Sequence, residues 1–211
     1  MKPSSDYATI HTKYFKARTQ QKLRATSQFS SIGKGHISEY DALLKAASDT
    51  LAWDWRLLAA MIFNESGFDP NAEAWTGAAG LMQVLPSTAA GYGVDSVFRP
   101  ADNIRAGTHF LAYLNNFWTA RIEDPSERTK FVLASYNVGL GHILDARQLA
   151  RKHQADPNVW EANVAHYLAR KSQPAYFNDP VVKHGYCRGS EPVAYVKRVL
   201  TGYEHYKNGF E

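Results

Sequence analysis

Between positions 53 and 83 the chain reads WDWRLLAAMIFNESGFDPNAEAWTGAAGLMQ, and no other stretch restricts its fold as strongly. The first half predicts a helix. Asp54 is a natural N-cap, and residues 56–63 are good or tolerable helix formers. Leu57, Leu58, Met61 and Ile62 recur at the i, i+3, i+4 spacings that build one apolar stripe. Glu65 continues that stripe, four residues after Met61 and seven after Leu58. A carboxylate there either frays into water at a helix end or is desolvated, and desolvation raises its pKa toward neutrality. Gly67 and Pro70 end the helix, so Glu65 falls in its last turn, beside an opening rather than in mid-core. Periodicity alone leaves both environments open.

The rest of the chain predicts more helices. One starts at Ser38, with Asp41 three residues on in an approximate capping box, and runs through Leu44 and Leu51. Others cover residues 104–118, 143–153 and 192–206. Asp124-Pro125-Ser126 opens a helix that carries Ser135 into Tyr136-Asn137, and Asp156-Pro157-Asn158 opens one through Trp160, Val164 and Leu168. Glycines before residue 81 exclude regular helix there. Residues 80–85 read as a short extended segment, with Pro86 at the start of a short helix. Residues 172–189 read as loop-rich. With 211 residues and 45% hydrophobic content, the chain can bury one core and is too short for two large domains.

Four fragments come in order: Glu65-Ser66, Gly80-Leu81-Met82-Gln83, Ser135-Tyr136-Asn137, and Glu191 with Tyr195-Val196. Each is weak alone. Together, with GLMQVLPSTA intact, they resemble the four motifs of the soluble-lytic-transglycosylase-like domain, glycoside hydrolase family 23, over residues 38–206. WDWRLLAA, YNVGLGHILDAR and GYCRGSEPVAYV resemble one membrane-bound branch of that family. The resemblance implies a mainly α, lysozyme-like helical domain with a small irregular β segment at the cleft. Full-length members of that branch carry a solute-binding-like domain ahead of the catalytic one. Residues 37–211 are then the catalytic domain, and residues 1–36 a basic flexible arm or former interdomain linker.

The charge pattern sets that arm apart. Residues 1–36 hold seven Lys or Arg against Asp6 alone, a net +6 in a chain whose total is +4, so the remainder is slightly acidic. A basic arm suits nucleic acid or anionic lipid. No RNA-binding aromatic or glycine pattern accompanies it, and a solvated linker with no nucleic-acid partner is the expectation. No apolar run reaches 18 residues and no signal-peptide pattern opens the sequence, so neither a membrane span nor an export signal is expected in this chain. The lone Cys187 cannot form an intrachain disulfide, and eight histidines without ligand spacing predict no metal; no cofactor is expected.

Cleaving a glycosidic bond needs an acid for the leaving oxygen and support for an oxocarbenium-like centre, usually from two carboxylates. Here the second is hard to find. Asp69 lies beyond the helix-ending Gly67, and Asp95, Asp102 and Asp145 read as ordinary turn or helix-surface residues. Glu191 remains, and the resembled family gives that position a structural part. The resemblance implies a substrate-assisted reaction on peptidoglycan glycan strands in the periplasm or cell envelope, by a monomer, with Glu65 as acid and then base. It also implies substrate contacts at Ser66, Met82, Gln83, Tyr136, Asn137 and Tyr195. Each has a plainer reading: Ser66, Gln83 and Asn137 bonding local backbone, Met82 in the core, and Tyr136 and Tyr195 as buried phenols with a partner. One departure stands out: nine residues after the acid the family often places a serine that orients the substrate's acetamido group, and here Ala74 stands there, followed by Trp75. Two alternatives remain: a goose-type lysozyme-like hydrolase, which would want a second carboxylate near the acid, and a non-catalytic peptidoglycan-binding module.

Overall fold

The computed structural model describes residues 35–210. The basic arm therefore lies outside the described residues except for Gly35 and His36. Among the described residues the secondary structure is helical: α1 Asp41–Leu51, α2 Trp55–Ser66, α3 Pro86–Gly91, α4 Pro100–Thr119, α5 Pro125–Val138, α6 Leu140–Lys152, a π-type turn Trp160–Val164, α7 Ala165–Arg170, α8 Pro174–Phe177 and α9 Ser190–Gly209. Among the described residues no helix is long and apolar enough to cross a membrane.

The helix α2 is the hub. Asp54 caps it by accepting from the Arg56 amide and is gripped by the Arg56 guanidinium and the Tyr203 hydroxyl, which hold its carboxyl below the usual range. The sequence stripe understates its burial. Leu57, Leu58, Ala59, Ala60, Met61 and Ile62 are all buried, so α2 is covered on every side, by α1 and α9 among others. Small residues set the closest approach: a Cβ placed on Gly202 of α9 would lie 3.4 Å from the Ala60 Cβ.

At the other end, an aromatic stack fixes α4 against α5. The Trp118 and Phe131 rings are 5.1 Å apart, Phe131 and Trp160 5.4 Å, and the Trp118 indole donates to Ser135 Oγ at 3.0 Å. Elsewhere the fold departs from sequence expectation: α6 already begins at Leu140, and the short α8 lies within the stretch read as loop-rich. No helix begins at Asp156: Glu161 and Ala162 have non-helical backbone angles, the latter left-handed at φ 57°, and regular helix begins at Ala165. The anchoring of Trp160 on Phe131 and of its amide on Glu127 Oε2 (2.7 Å) overrides local propensity. The expected extended segment at residues 80–85 is a run of turns, and the β component is two isolated antiparallel bridges, Glu73 with Ala79 and Ala79 with Val84.

Candidate active site

Glu65 ends α2, and Gly67 in the left-handed conformation (φ 63°) closes the helix behind it. Tyr195, seven residues before Gly202 on α9, meets Glu65, five residues after Ala60 on α2. These two contacts make the helices antiparallel and aim the phenol at the acid. Tyr195 Oη donates to Glu65 Oε1 at 2.5 Å. Burial pushes the Glu65 carboxyl up to about 7 against the opposing pull of that hydrogen bond and of the Arg198 cation. No carboxylate contributes to this shift among the described residues. The residue is nonetheless partly exposed, so the desolvated acid has an outlet. Burial, with the Glu65 charge second, holds the Tyr136 and Tyr195 phenols well above their ordinary value, so both are hydrogen-bond donors at neutral pH.

The turn that faces α2 is built from backbone carbonyls and amides pinned by side chains. Gly80 takes φ 76°, and a Cβ there would lie 2.2 Å from both Asn103 Nδ2 and the Val97 carbonyl. Asn103, fully buried at the start of α4, donates to the carbonyls of Ala79 (2.9 Å) and Val97 (2.7 Å) and accepts from the Met82 amide (2.7 Å). Asn103 belongs to none of the four sequence motifs. The available signal was its place on the apolar face of α4, four residues before Gly107 and eight before Leu111. Those bonds take the place of strand pairing, which is why the segment turns instead of extending.

The residues singled out in the sequence take different positions. Ser66 is buried and donates to the Leu81 carbonyl at 2.8 Å, tying the end of α2 to the glycine turn. Gln83, with left-handed φ 50°, uses its amide nitrogen on the carbonyls of Ala72 and Gly80, both at 3.0 Å, while the residue stays partly exposed. Tyr136 Oη donates to the Met82 carbonyl at 2.8 Å, and its ring lies 5.4 Å from Phe110. The Met82 side chain is wholly buried over Gly107, so the soft apolar contact to a sugar is not available to it; its carbonyl is what it brings to Tyr136. Asn137 is exposed within α5, and the helix is closed by Gly139 rather than by the asparagine. Ala74 starts a tight loop in which its amide donates to the Ala78 carbonyl at 2.8 Å, and Trp75 at the tip is 88% exposed.

Asp145 needs correction: it is not a helix-surface residue. It is buried on α6, where Lys171 Nζ donates to Oδ2 at 2.6 Å and the amides of Lys183 and His184 donate at 2.8 and 2.9 Å. Its partners arrive from loops 26 to 39 residues away, which no local pattern announces. No group of three or more His, Cys, Asp or Glu suited to a metal occurs among the described residues.

Residues 42–159 match the family described as the transglycosylase SLT domain. The chain is 36% identical over 204 residues to membrane-bound lytic murein transglycosylase F of Desulfosudis oleivorans, an alignment covering 97% of this chain and 44% of that protein. It is 38% identical over 168 residues to the protein of the same name from Pseudomonas fluorescens, covering 80% of this chain and 34% of that one. Among solved structures, the soluble lytic transglycosylase SLT70 of Escherichia coli matches with a TM-score of 0.51 at 24% identity, over 80% of this chain and 24% of that one. An inactive mutant of lytic transglycosylase Slt from Pseudomonas aeruginosa matches with a TM-score of 0.50 at 19% identity, over 91% and 30%. These two share the fold. The chain spans less than half the length of the curated relatives it matches.

Proposed function

Because the chain belongs to the transglycosylase SLT domain family, we propose that it is a peptidoglycan lytic transglycosylase of the cell envelope, acting between N-acetylmuramic acid and N-acetylglucosamine with Glu65 as its acid and base. The observation that carries this reading is the Glu65 carboxyl: desolvated, raised to about 7, partly open to solvent and without a carboxylate acting on it among the described residues. A group with that pKa is protonated often enough at neutral pH to donate, and weak enough as an acid to take the proton back.

In the first step Glu65 gives its proton to the bridging oxygen as the bond to C1 of the muramic sugar breaks. The acetamido carbonyl of that sugar supports C1 in place of a second carboxylate. Glu65, now an anion, is stabilised by the Tyr195 hydroxyl at 2.5 Å and the Arg198 charge. It then removes the proton of the C6 hydroxyl, whose oxygen closes onto C1. The product is a 1,6-anhydro sugar, no water is consumed, and the acid is regenerated. Tyr136, Gln83 and the exposed Asn137 are the remaining substrate contacts proposed, with the glycine turn held rigid behind them by Asn103 and Ser66. Ala74 supplies no hydroxyl for the acetamido group, and the exposed Trp75 beside it offers an aromatic face for a sugar ring.

Mass spectrometry of the products from purified murein sacculi tests the reading. The expected muropeptides end in the anhydro form, lighter by one water than a hydrolysed end. Hydrated reducing ends would move the protein to the lysozyme class with Glu65 still the acid. Absence of any soluble muropeptide would leave a binding module.

A further inference from the structure

A second concave site shares no residue with the surroundings of Glu65. It is a cavity of about 360 Å³ lined by Arg121, Leu144, Arg147, Gln148, Arg151 and Asn158. Three guanidinium groups in one pocket require explanation. Arg147 is buried beneath it, with Nε donating to the Pro157 carbonyl at 2.8 Å and Nη2 to the Asn158 amide oxygen. Both acceptors are neutral, and Nη1 has no protein acceptor among the described residues. Arg121 is braced by its Nη1 on the Phe117 carbonyl at 2.7 Å and by stacking over the Phe117 ring. No carboxylate comes within ion-pair distance of any of the three arginines among the described residues. Asp156 attracts Arg147 only from farther away. Burial, together with repulsion by Arg151 and Arg121, pulls the Arg147 guanidinium down to about 10. The Trp118 ring, its centroid 5.2 Å from the Arg147 guanidinium carbon, offsets part of the cost of this buried cation, but among the described residues no anion pairs with it.

We infer that this pocket is a binding site for a carboxylate-bearing peptide, separate from the Glu65 site. The guanidinium fork matches a carboxylate's two oxygens. Gln148 and Asn158 present amides suited to peptide N–H and C=O groups, and Leu144 adds an apolar wall. The volume falls in the range of pockets that hold small organic ligands, roughly 300–1,000 Å³. An inorganic oxyanion would satisfy the charge but leave the amides and Leu144 unused. The peptide stems of peptidoglycan carry free carboxylates, so the pocket would grip the proposed substrate away from the scissile bond. That last assignment rests on the proposed function; the binding itself does not.

The test is calorimetric titration of the full chain, at fixed ionic strength, with the acidic dipeptide N-acetyl-alanyl-glutamate, its diamide, and inorganic phosphate. The dipeptide should bind at least about tenfold more tightly than the diamide or phosphate, the scale of one charge-assisted contact. An Arg121→Gln/Arg151→Gln variant, whose replaced side chains are exposed, should lose about tenfold or more, with its fold checked by its urea midpoint. Arg99→Gln/Arg105→Gln, which alters two exposed arginines elsewhere, should bind as the parent does. No dipeptide binding, equal binding of the diamide or of phosphate, or unchanged affinity in the Arg121/Arg151 variant would each overturn the inference. None of these readouts depends on glycan cleavage, so failure here is distinguishable from failure of the transglycosylase reading.

Discussion

Glu65 and Asp145 are both carboxylates taken out of water in the same helical domain, and they have been pushed in opposite directions. Burial is the largest influence on each. At Asp145 it is outweighed by four donors: the Lys171 ammonium, the amides of Lys183 and His184, and the His184 ring. At Glu65 it is opposed by one phenol and one exposed arginine, and burial wins. The first arrangement fixes a permanent anion that staples the loop after α8 to α6. The second keeps a proton on a partly exposed acid. The balance of partners against desolvation decides which of the two carboxylates is held as an anion.

The largest effect expected is on turnover. Glu65→Gln keeps the shape and the acceptor for Tyr195 but has no carboxylic proton to give. Release of muropeptides should fall by about 10²- to 10⁴-fold, toward the upper end since the proposed mechanism asks one residue to serve both steps. The matching change at the other carboxylate, Asp145→Asn, should leave kcat within a small factor for whatever fraction remains folded. Near-normal turnover by the Glu65→Gln variant would erase the distinction between the two sites.

Stability should show the reverse. Removing the Asp145 carboxylate with Asp145→Ala strands the fully buried Lys171, and breaking such a pair typically costs about 3–5 kcal/mol. Replacing both partners, Asp145→Asn with Lys171→Met, should recover part of that loss, because no uncompensated charge remains and an amide oxygen is still there to accept from the Lys183 and His184 amides. Urea unfolding measures both. The pH dependence follows from the lowered Asp145 value: its contribution is present above the ordinary carboxylate range and disappears as pH falls through the lower folded value. A double variant as unstable as Asp145→Ala would mean that shape, not charge, holds this cluster together.

This contrast also marks how far the sequence could be read. The Glu65 site was accessible because its cues are local: a carboxylate continuing an apolar stripe, glycine and proline ending the helix, and four short motifs in order. Helix starts at Pro86, Asp124 and the capped Asp54 were legible for the same reason. The long-range pins were not. Asn103 holding the glycine turn and Lys171 neutralising Asp145 join residues 21 to 26 positions apart, and neither leaves a periodic trace. The helix expected from Asp156 failed where an aromatic anchor outside its own segment decided the backbone. The arginine pocket is not legible in the sequence because arginines on a helix such as α6 look like an ordinary solvated face.

A smaller stability change should appear at Glu65 itself, with the opposite pH sign to Asp145. Its folded value is above the unfolded one, so between about 4.5 and about 7 the unfolded chain holds fewer protons than the folded one. Wild-type stability should therefore decline across that window, by up to about 3 kcal/mol from this group. Glu65→Gln removes the penalty. Its advantage over the parent should be small near pH 4.5, grow through pH 7 and then level off, with a melting temperature higher by roughly 6–12 °C at the plateau. An advantage that did not change with pH would mean that the Glu65 carboxyl is not raised, and the contrast with Asp145 would fail.

The smallest effect comes from the one hydrogen bond that makes Glu65 resemble Asp145. Tyr195 donates to Oε1 and stabilises the anion, so it pulls the carboxyl downward against burial. Tyr195→Phe removes that donor and leaves the ring. With a single hydrogen bond to a charged group worth on the order of 1.5 kcal/mol, the Glu65 titration should move up by about one pH unit. The carboxyl would then stay protonated to higher pH but be a weaker acid in the proposed first step, because the anion it leaves has lost its closest partner. The basic limb of the kcat profile should shift upward with that titration, and the maximal rate should fall by about tenfold or less if the phenol serves only to tune the acid. Tyr195→Phe would sharpen the comparison in either direction. An upward shift places Glu65 one donor further from the Asp145 arrangement, while an unmoved profile would show that burial alone sets the acid and that the phenol's bond is incidental to it.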